Sequence, residues 1–216
     1  LTAQLKHYDV DCSAVRQTSL AKTALAFVAL DEQGDRSFSF YRPPAADLLY
    51  LPEDCPPDLW QQRGILHLCS NSLTEHAIAM TSFALVATAK AHGWLVSVDA
   101  NLRHNLWPSG NANRELVSRL LQLADVIKLS DDELQYLAAD LDPEVWLLQL
   151  LEQQQPKSAN PRWAVITAGA AAVLTGGEVP GAVGCVALAQ RLEPCVLEDE
   201  HHVEQRRMGE PRAQHR

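Results

Sequence analysis

The chain lacks most of the features that announce a function on their own. Nowhere in its 216 residues does an apolar run approach the roughly 18 that a membrane-spanning helix needs, so no membrane partner is expected. Near the N-terminus no basic stretch leads into an apolar core, the pattern of a secretory signal. Basic residues are outnumbered, with 18 Lys and Arg against 27 Asp and Glu, a formal charge of −9. That balance argues against general nucleic-acid binding, because neutralising phosphates takes clustered Lys and Arg. Cys12, Cys55, Cys69, Cys185 and Cys195 form no CxxC pair. Neither a zinc site nor a disulfide framework is therefore indicated, and reduced thiols in a cytoplasmic protein are expected. There is no GxGxxG turn or P-loop, and no Ser/His/Asp or Cys/His constellation stands at a readable spacing.

What is present is the composition of an ordinary soluble globular protein, 47% hydrophobic and 21% charged, long enough for one domain with a substantial core. Four short apolar runs, Gly64–Ser70, Trp94–Ala100, Asp125–Ser130 and Trp163–Gly169, recur at intervals of roughly thirty residues and predict strands. Between the first two, Thr74–His92 keeps Ile78, Phe83, Val86 and Ala89 near one helical face, with Thr74 as the expected N-cap and Gly93 as the stop. Asn111–Ala124, Asp132–Ala139 and Glu144–Gln155 supply further helix. Strand and helix alternating at this spacing predict right-handed βαβ units and a mostly parallel sheet, an α/β fold. Ahead of them, Thr23–Leu30 and Arg36–Tyr41 flank a glycine-containing loop and read as a β-hairpin. Phe38 and Phe40 alternate with Ser37 and Ser39, which gives the hairpin one apolar face and the character of a flap.

The segment Val96–Trp107 carries the clearest chemistry. Its apolar strand ends in Asp99, Asn101 and Arg103, an acid, an amide and a guanidinium at alternate positions. Ligands of open parallel sheets sit beyond the carboxyl ends of the strands. There an acid and an amide can bond hydroxyls, while Arg can grip anionic oxygens. The bland alternative is a polar turn after a buried strand. Ser130-x-x-Glu133 reads as a capping box at a helix start, which is also where anions bind. Arg42 and Asp47, just after the hairpin, either reach a ligand or pair at the surface. His67, within a strand, is expected to be a core histidine.

Asp99-Ala-Asn-Leu-Arg103 followed by Leu106-Trp107 resembles the Asp-Pro-Asn-Leu-Arg…Leu-Trp element of fructokinases, which belong to the ribokinase-like (PfkB-type) sugar kinases; Ala100 stands where proline is usual. Thr23–Leu30, Gly34–Arg42 and Ala45-Ala46-Asp47 are similar to the family's lid strands and the segment after them, and His67–Leu73 to the strand that follows. The resemblance implies a ribokinase-like three-layer sandwich with a mostly parallel sheet and a small β-hairpin lid near residues 22–42, incomplete here. It implies ATP and Mg²⁺ as cofactors, a sugar (fructose first) as substrate, and a parent enzyme that dimerises through its lid. Carried over residue by residue, it assigns Asp99, Asn101 and Arg103 to substrate binding. Lys128, Thr167 and Gly169 go to ATP, the last two from Trp163–Gly169, which looks like the family's strand and Thr-x-Gly turn. Glu133 would organise Mg²⁺ through water, a role compatible with its capping box.

Members of this family also carry an early sugar-binding aspartate, a Gly-Gly-x-x-x-Asn segment and, late in the chain, a Gly-Ala-Gly-Asp whose aspartate is the base. None of the three is found in this sequence. The expectation is therefore a partial kinase domain over residues 1–177, a fragment with no catalytic base and with impaired or lost turnover. Residues 178–216 are expected to be a divergent, disordered tail that is native or frameshifted. The remaining alternatives are a catalytically silent sugar- or nucleotide-binding protein and a non-functional gene remnant.

Overall fold

The computed structural model describes residues 1–34, 36–152, 162–168, 173–179 and 182–188. After a short helix α1 (Thr2–His7), strands β1 (Leu25–Leu30) and β2 (Arg36–Tyr41) pair antiparallel as a separate two-stranded sheet. Gly34, at φ +85°, takes the left-handed conformation that their connecting turn requires. The main sheet runs β3 (Ile65–Cys69), β4 (Leu95–Asp99), β5 (Val126–Ser130), β6 (Trp163–Thr167), β7 (Val173–Val179) and β8 (Ala182–Leu188), side by side in chain order. The first four strands are parallel, and β7 and β8 close the sheet antiparallel.

Helices α2 (His76–Ala91), α3 (Arg114–Leu123), α4 (Asp131–Ala138) and α5 (Pro143–Glu152) connect and cover these strands. Val96, Val98, Ile127, Leu129, Ala164 and Ile166 point to one face and join Val86, Val117, Leu120, Leu121, Leu134, Leu137 and Leu150 in a single core. Each such aliphatic side chain contributes about 1.5–3 kcal/mol of burial. The alternate residues His67, Ser97, Asp99 and Lys128 lie on the less covered face. His67 is exposed, correcting the core assignment; its Nδ1 lies 3.1 Å from Ser97 Oγ.

Helix boundaries follow local chemistry with small shifts. Asn113 caps α3 by accepting the Leu116 amide at 2.9 Å, and Gly93, at φ +75°, ends the turn after α2. Thr74 does not cap α2, whose N-cap is Glu75, because its hydroxyl is taken by Asn71 and Arg42. Just before β3, a Cβ on Gly64 would meet the Trp94 ring at 2.6 Å, so only glycine lets the indole lie there. Within the 178–216 segment, β7 continues through Val179 and β8 spans Ala182–Leu188. The rest of 178–216 lies outside the described residues.

Candidate functional site

The carboxyl ends of β3, β4, β5 and β6 share one edge, as parallel pairing dictates. Cys69 sits opposite Asp99, Asp99 opposite Lys128, and Ser130 opposite Thr167. Across the register, Lys128 Nζ is 3.2 Å from Asp99 Oδ1, an oxygen that is buried and makes no hydrogen bond of good geometry. The Cys69 thiol beside this pair titrates above its ordinary range, first because partial burial desolvates it and then because the Asp99 carboxylate disfavours a second negative charge.

Past Asp99 the chain makes a tight turn in which two non-glycine residues, Asn101 (φ +36°) and Arg103 (φ +40°), adopt positive φ. Such backbone costs about 1–3 kcal/mol per residue and persists only where surroundings fix it. Here four contacts do so. Ser70 Oγ donates to the Asn101 carbonyl at 3.2 Å, and Trp107 Nε1 to the Leu102 carbonyl at 2.8 Å. The Ala100 amide reaches the Lys128 carbonyl at 3.0 Å. The fourth is Glu133: its Oε1 accepts the Leu102 amide at 2.9 Å, while its Oε2 accepts the Ser130 amide at 2.8 Å. With Ser130 Oγ accepting the Glu133 amide at 3.2 Å, the capping box is complete. Glu133 therefore ties the start of α4 to the turn that carries Arg103.

Arg103 and Glu133 face a common open cavity of about 450 Å³, lined also by Phe38, Leu102, His104 and Asp132. Phe38 comes from the β-hairpin, which places that hairpin over the ligand edge. Asp99, Asn101, Lys128 and Thr167 stand on the same edge but do not line the cavity; Thr167 Oγ1 lies 3.4 Å from the Leu129 carbonyl. Gly169 lies outside the described residues. His104 was not anticipated. Its Nδ1 accepts the Ala112 amide at 3.1 Å and its ring packs edge-on to Tyr136, so it braces the wall of the cavity, and nothing in its sequence position beyond adjacency to Arg103 signals this. Among the described residues no group of three or more His, Cys, Asp and Glu side chains could hold a metal by direct ligation.

The hairpin is anchored at its base by Arg42. The guanidinium donates through Nε to Asp47 Oδ2 at 2.8 Å, through Nη1 to Thr74 Oγ1 at 3.1 Å, and through both terminal nitrogens to the Asn71 carbonyl. Arg42 and Asp47 do pair, across the boundary of the surface: the Arg42 side chain is only 6% exposed, while that of Asp47 is 48% exposed.

A parallel sheet with its polar turn, capped helix start and flap on one edge is the arrangement of a ribokinase-like kinase domain. The sequence pattern of the pfkB family carbohydrate kinases matches residues 1–186, and the chain belongs to that family. The match runs past Gly177, where the resemblance was expected to stop. The chain is 43% identical over 139 residues to a probable fructokinase-7 from Arabidopsis thaliana, covering 64% of this chain and 40% of that protein. Against the fructokinase of Klebsiella pneumoniae it is 36% identical over 152 residues, covering 70% of this chain and 49% of the other. The crystal structure of fructokinase from Xylella fastidiosa superposes with a TM-score of 0.73 at 40% identity, over 85% of this chain and 57% of that one. A fructokinase from Vibrio cholerae, solved with fructose, ADP and calcium bound, gives a TM-score of 0.71 at 32% identity, over 86% and 57%. The chain thus spans less than half the length of these two curated relatives.

Proposed function

We propose that this chain carries the lid and the phosphate-side ligand edge of an ATP-dependent fructokinase, the parent activity being transfer of the ATP γ-phosphoryl group to a fructose hydroxyl. The observation that carries the reading is the Glu133 carboxylate, which joins the Arg103 turn to the start of α4 on one cavity beneath the hairpin. In this reading Asp99 and Asn101 face sugar hydroxyls, Arg103 grips anionic oxygen, and Lys128, Thr167 and Gly169 serve ATP. Glu133 fits Mg²⁺ through the ion's waters, since both of its oxygens already hold amides and their remaining lone pairs suit water donors. Mg²⁺, when bound, neutralises charge on the transferring phosphates.

The 216 residues by themselves are proposed to bind without turning over, because the sequence contains no Gly-Ala-Gly-Asp base. A general base supplies about 10²–10⁴-fold, and orientation of the reacting hydroxyl about 7–11 kcal/mol. Calorimetric titration with Mg·ATP and with fructose, beside a coupled kinase assay, tests this. Binding of Mg·ATP that Arg103→Ala weakens, with no fructose phosphate formed, is the expected result. An absence of nucleotide binding overturns the phosphate-site reading, and robust turnover overturns the inactivity.

A cytoplasmic location and a homodimer through the lid complete the proposal. Leu25 and Phe27 of β1, on the face of the hairpin opposite Phe38, are each more than half exposed, apolar surface of the kind that marks an interaction site. Phe38 and Phe40 are half-buried, with Phe38 turned toward the cavity, so Leu25 and Phe27 on the opposite face supply the outward surface. Phe27→Lys should lower the dimer fraction in sedimentation; a chain monomeric at all concentrations removes the dimer.

A further inference from the structure

The hairpin makes no strand pairing with the main sheet, and its base is fixed by Arg42. A second attachment lies halfway along β2, at Phe38. The Arg103 guanidinium carbon sits 4.5 Å from the centroid of the Phe38 ring, and Asn105 Nδ2 donates to the Phe38 carbonyl at 3.0 Å. Behind it, Phe40 stacks on Phe38 at 6.2 Å with an interplanar angle of 8°, which fixes the ring's orientation. One lid residue thus takes hold of the 101–105 turn twice, once by its ring and once by its backbone.

A guanidinium stacked on a ring keeps its N–H donors in its own plane, directed outward and free for a forked contact with anionic oxygens. Arg103 is exposed, and a long exposed side chain otherwise samples many rotamers. We infer that Phe38 is the positioning residue for Arg103: the lid's aromatic ring holds the guanidinium at the cavity mouth with its donors free, so lid placement and anion affinity are coupled. The coupling is reciprocal, since an anion that favours the stacked guanidinium favours the docked lid by the same factor. This inference rests on the phosphate-site reading above, and its test separates the two.

The test uses the 216-residue chain and inorganic tripolyphosphate as the anion. Phe38→Leu removes the ring face while keeping apolar bulk, and Phe38→Tyr and Phe38→Trp keep it. Dissociation constants are measured for these three and for Arg103→Ala. Ring-current shifts of the Arg103 side chain are read by NMR in the absence of the anion. A cation–ring contact at an exposed site corresponds to about two- to fivefold in affinity. Phe38→Leu is expected to weaken binding by that factor and to lose the ring-current shift, while both aromatic variants stay near wild type. Wild-type binding that depends on Arg103 but is unchanged or tighter in Phe38→Leu overturns the inference and leaves the phosphate site standing. Tripolyphosphate binding that Arg103→Ala does not alter, or none at all, removes both.

Discussion

Glu133→Ala should cost this protein more than any other single change at an exposed or half-buried carboxylate. The side chain accepts two backbone amides, Leu102 at 2.9 Å and Ser130 at 2.8 Å, and it sits in the first turn of α4. Hydrogen bonds to a charged acceptor contribute about 1.5–3 kcal/mol each, and a carboxylate at a helix N-terminus adds about 0.3–1 kcal/mol. Half-burial lets water replace part of what is lost, which places the expected destabilisation near the lower limit, about 3 kcal/mol. Glu133→Gln keeps one acceptor oxygen and should lose about half as much. Urea unfolding measures both, read as a shift in midpoint at unchanged m-value. Hydrogen exchange gives the local answer: the Leu102 amide should lose protection in Glu133→Ala beyond the global change, because it donates to this side chain. A midpoint shift equivalent to less than about 0.5 kcal/mol, or Leu102 protection that merely follows global stability, would refute the bracket role.

Arg42→Lys should loosen the hairpin nearly as much as Arg42→Ala, because an ammonium cannot reproduce the planar fork to Asp47, Asn71 and Thr74; limited proteolysis near Gly34 should speed up in both, with a stability loss of about 2 kcal/mol. Arg162→Met should lower stability by about 3 kcal/mol in urea unfolding, since the buried guanidinium donates to the Ala124, Leu121 and Leu150 carbonyls at the ends of α3 and α5. The Cys69 and Cys55 thiols, both pushed up by burial, should alkylate slowly with iodoacetamide at pH 8 and faster as pH rises. Their folded-state pKa values exceed the unfolded ones, so the neutral thiols contribute stability fully present below about pH 8.5 and lost above it; a midpoint that rises between pH 8 and 10 contradicts this.

The sheet was readable because each strand is a short apolar run ending in small or polar residues, and because helical periodicity fills the intervals. Ser130 and Glu133 were readable as a cap for the same reason: three residues separate them. What Glu133 does with its other oxygen was not readable, since Leu102 lies 31 positions away and only the parallel register of β4 and β5 brings the two together. Arg42 shows the same limit. Its pairing with Asp47 is local, but its burial comes from Asn71 and Thr74, 29 and 32 positions on, and that contact also removed Thr74 from the expected cap. The strand at Ala182–Leu188 is harder to read, because its apolar residues are interrupted by Gly184 and show no alternation with polar ones.

The order of the main sheet has a consequence for how the protein is made. Every strand from β4 to β8 lies beside the strand that precedes it in the chain, so among the described residues no strand of this sheet waits for a later one to be inserted between itself and its neighbour. As the polypeptide leaves the ribosome, each newly emerged strand finds its docking edge already present, and the apolar face of Val96, Val98, Ile127 and Leu129 is covered unit by unit. Vectorial synthesis and the final topology run in the same direction. Besides the β3 edge, the strand edge left without a partner in an interrupted nascent chain is that of its latest strand.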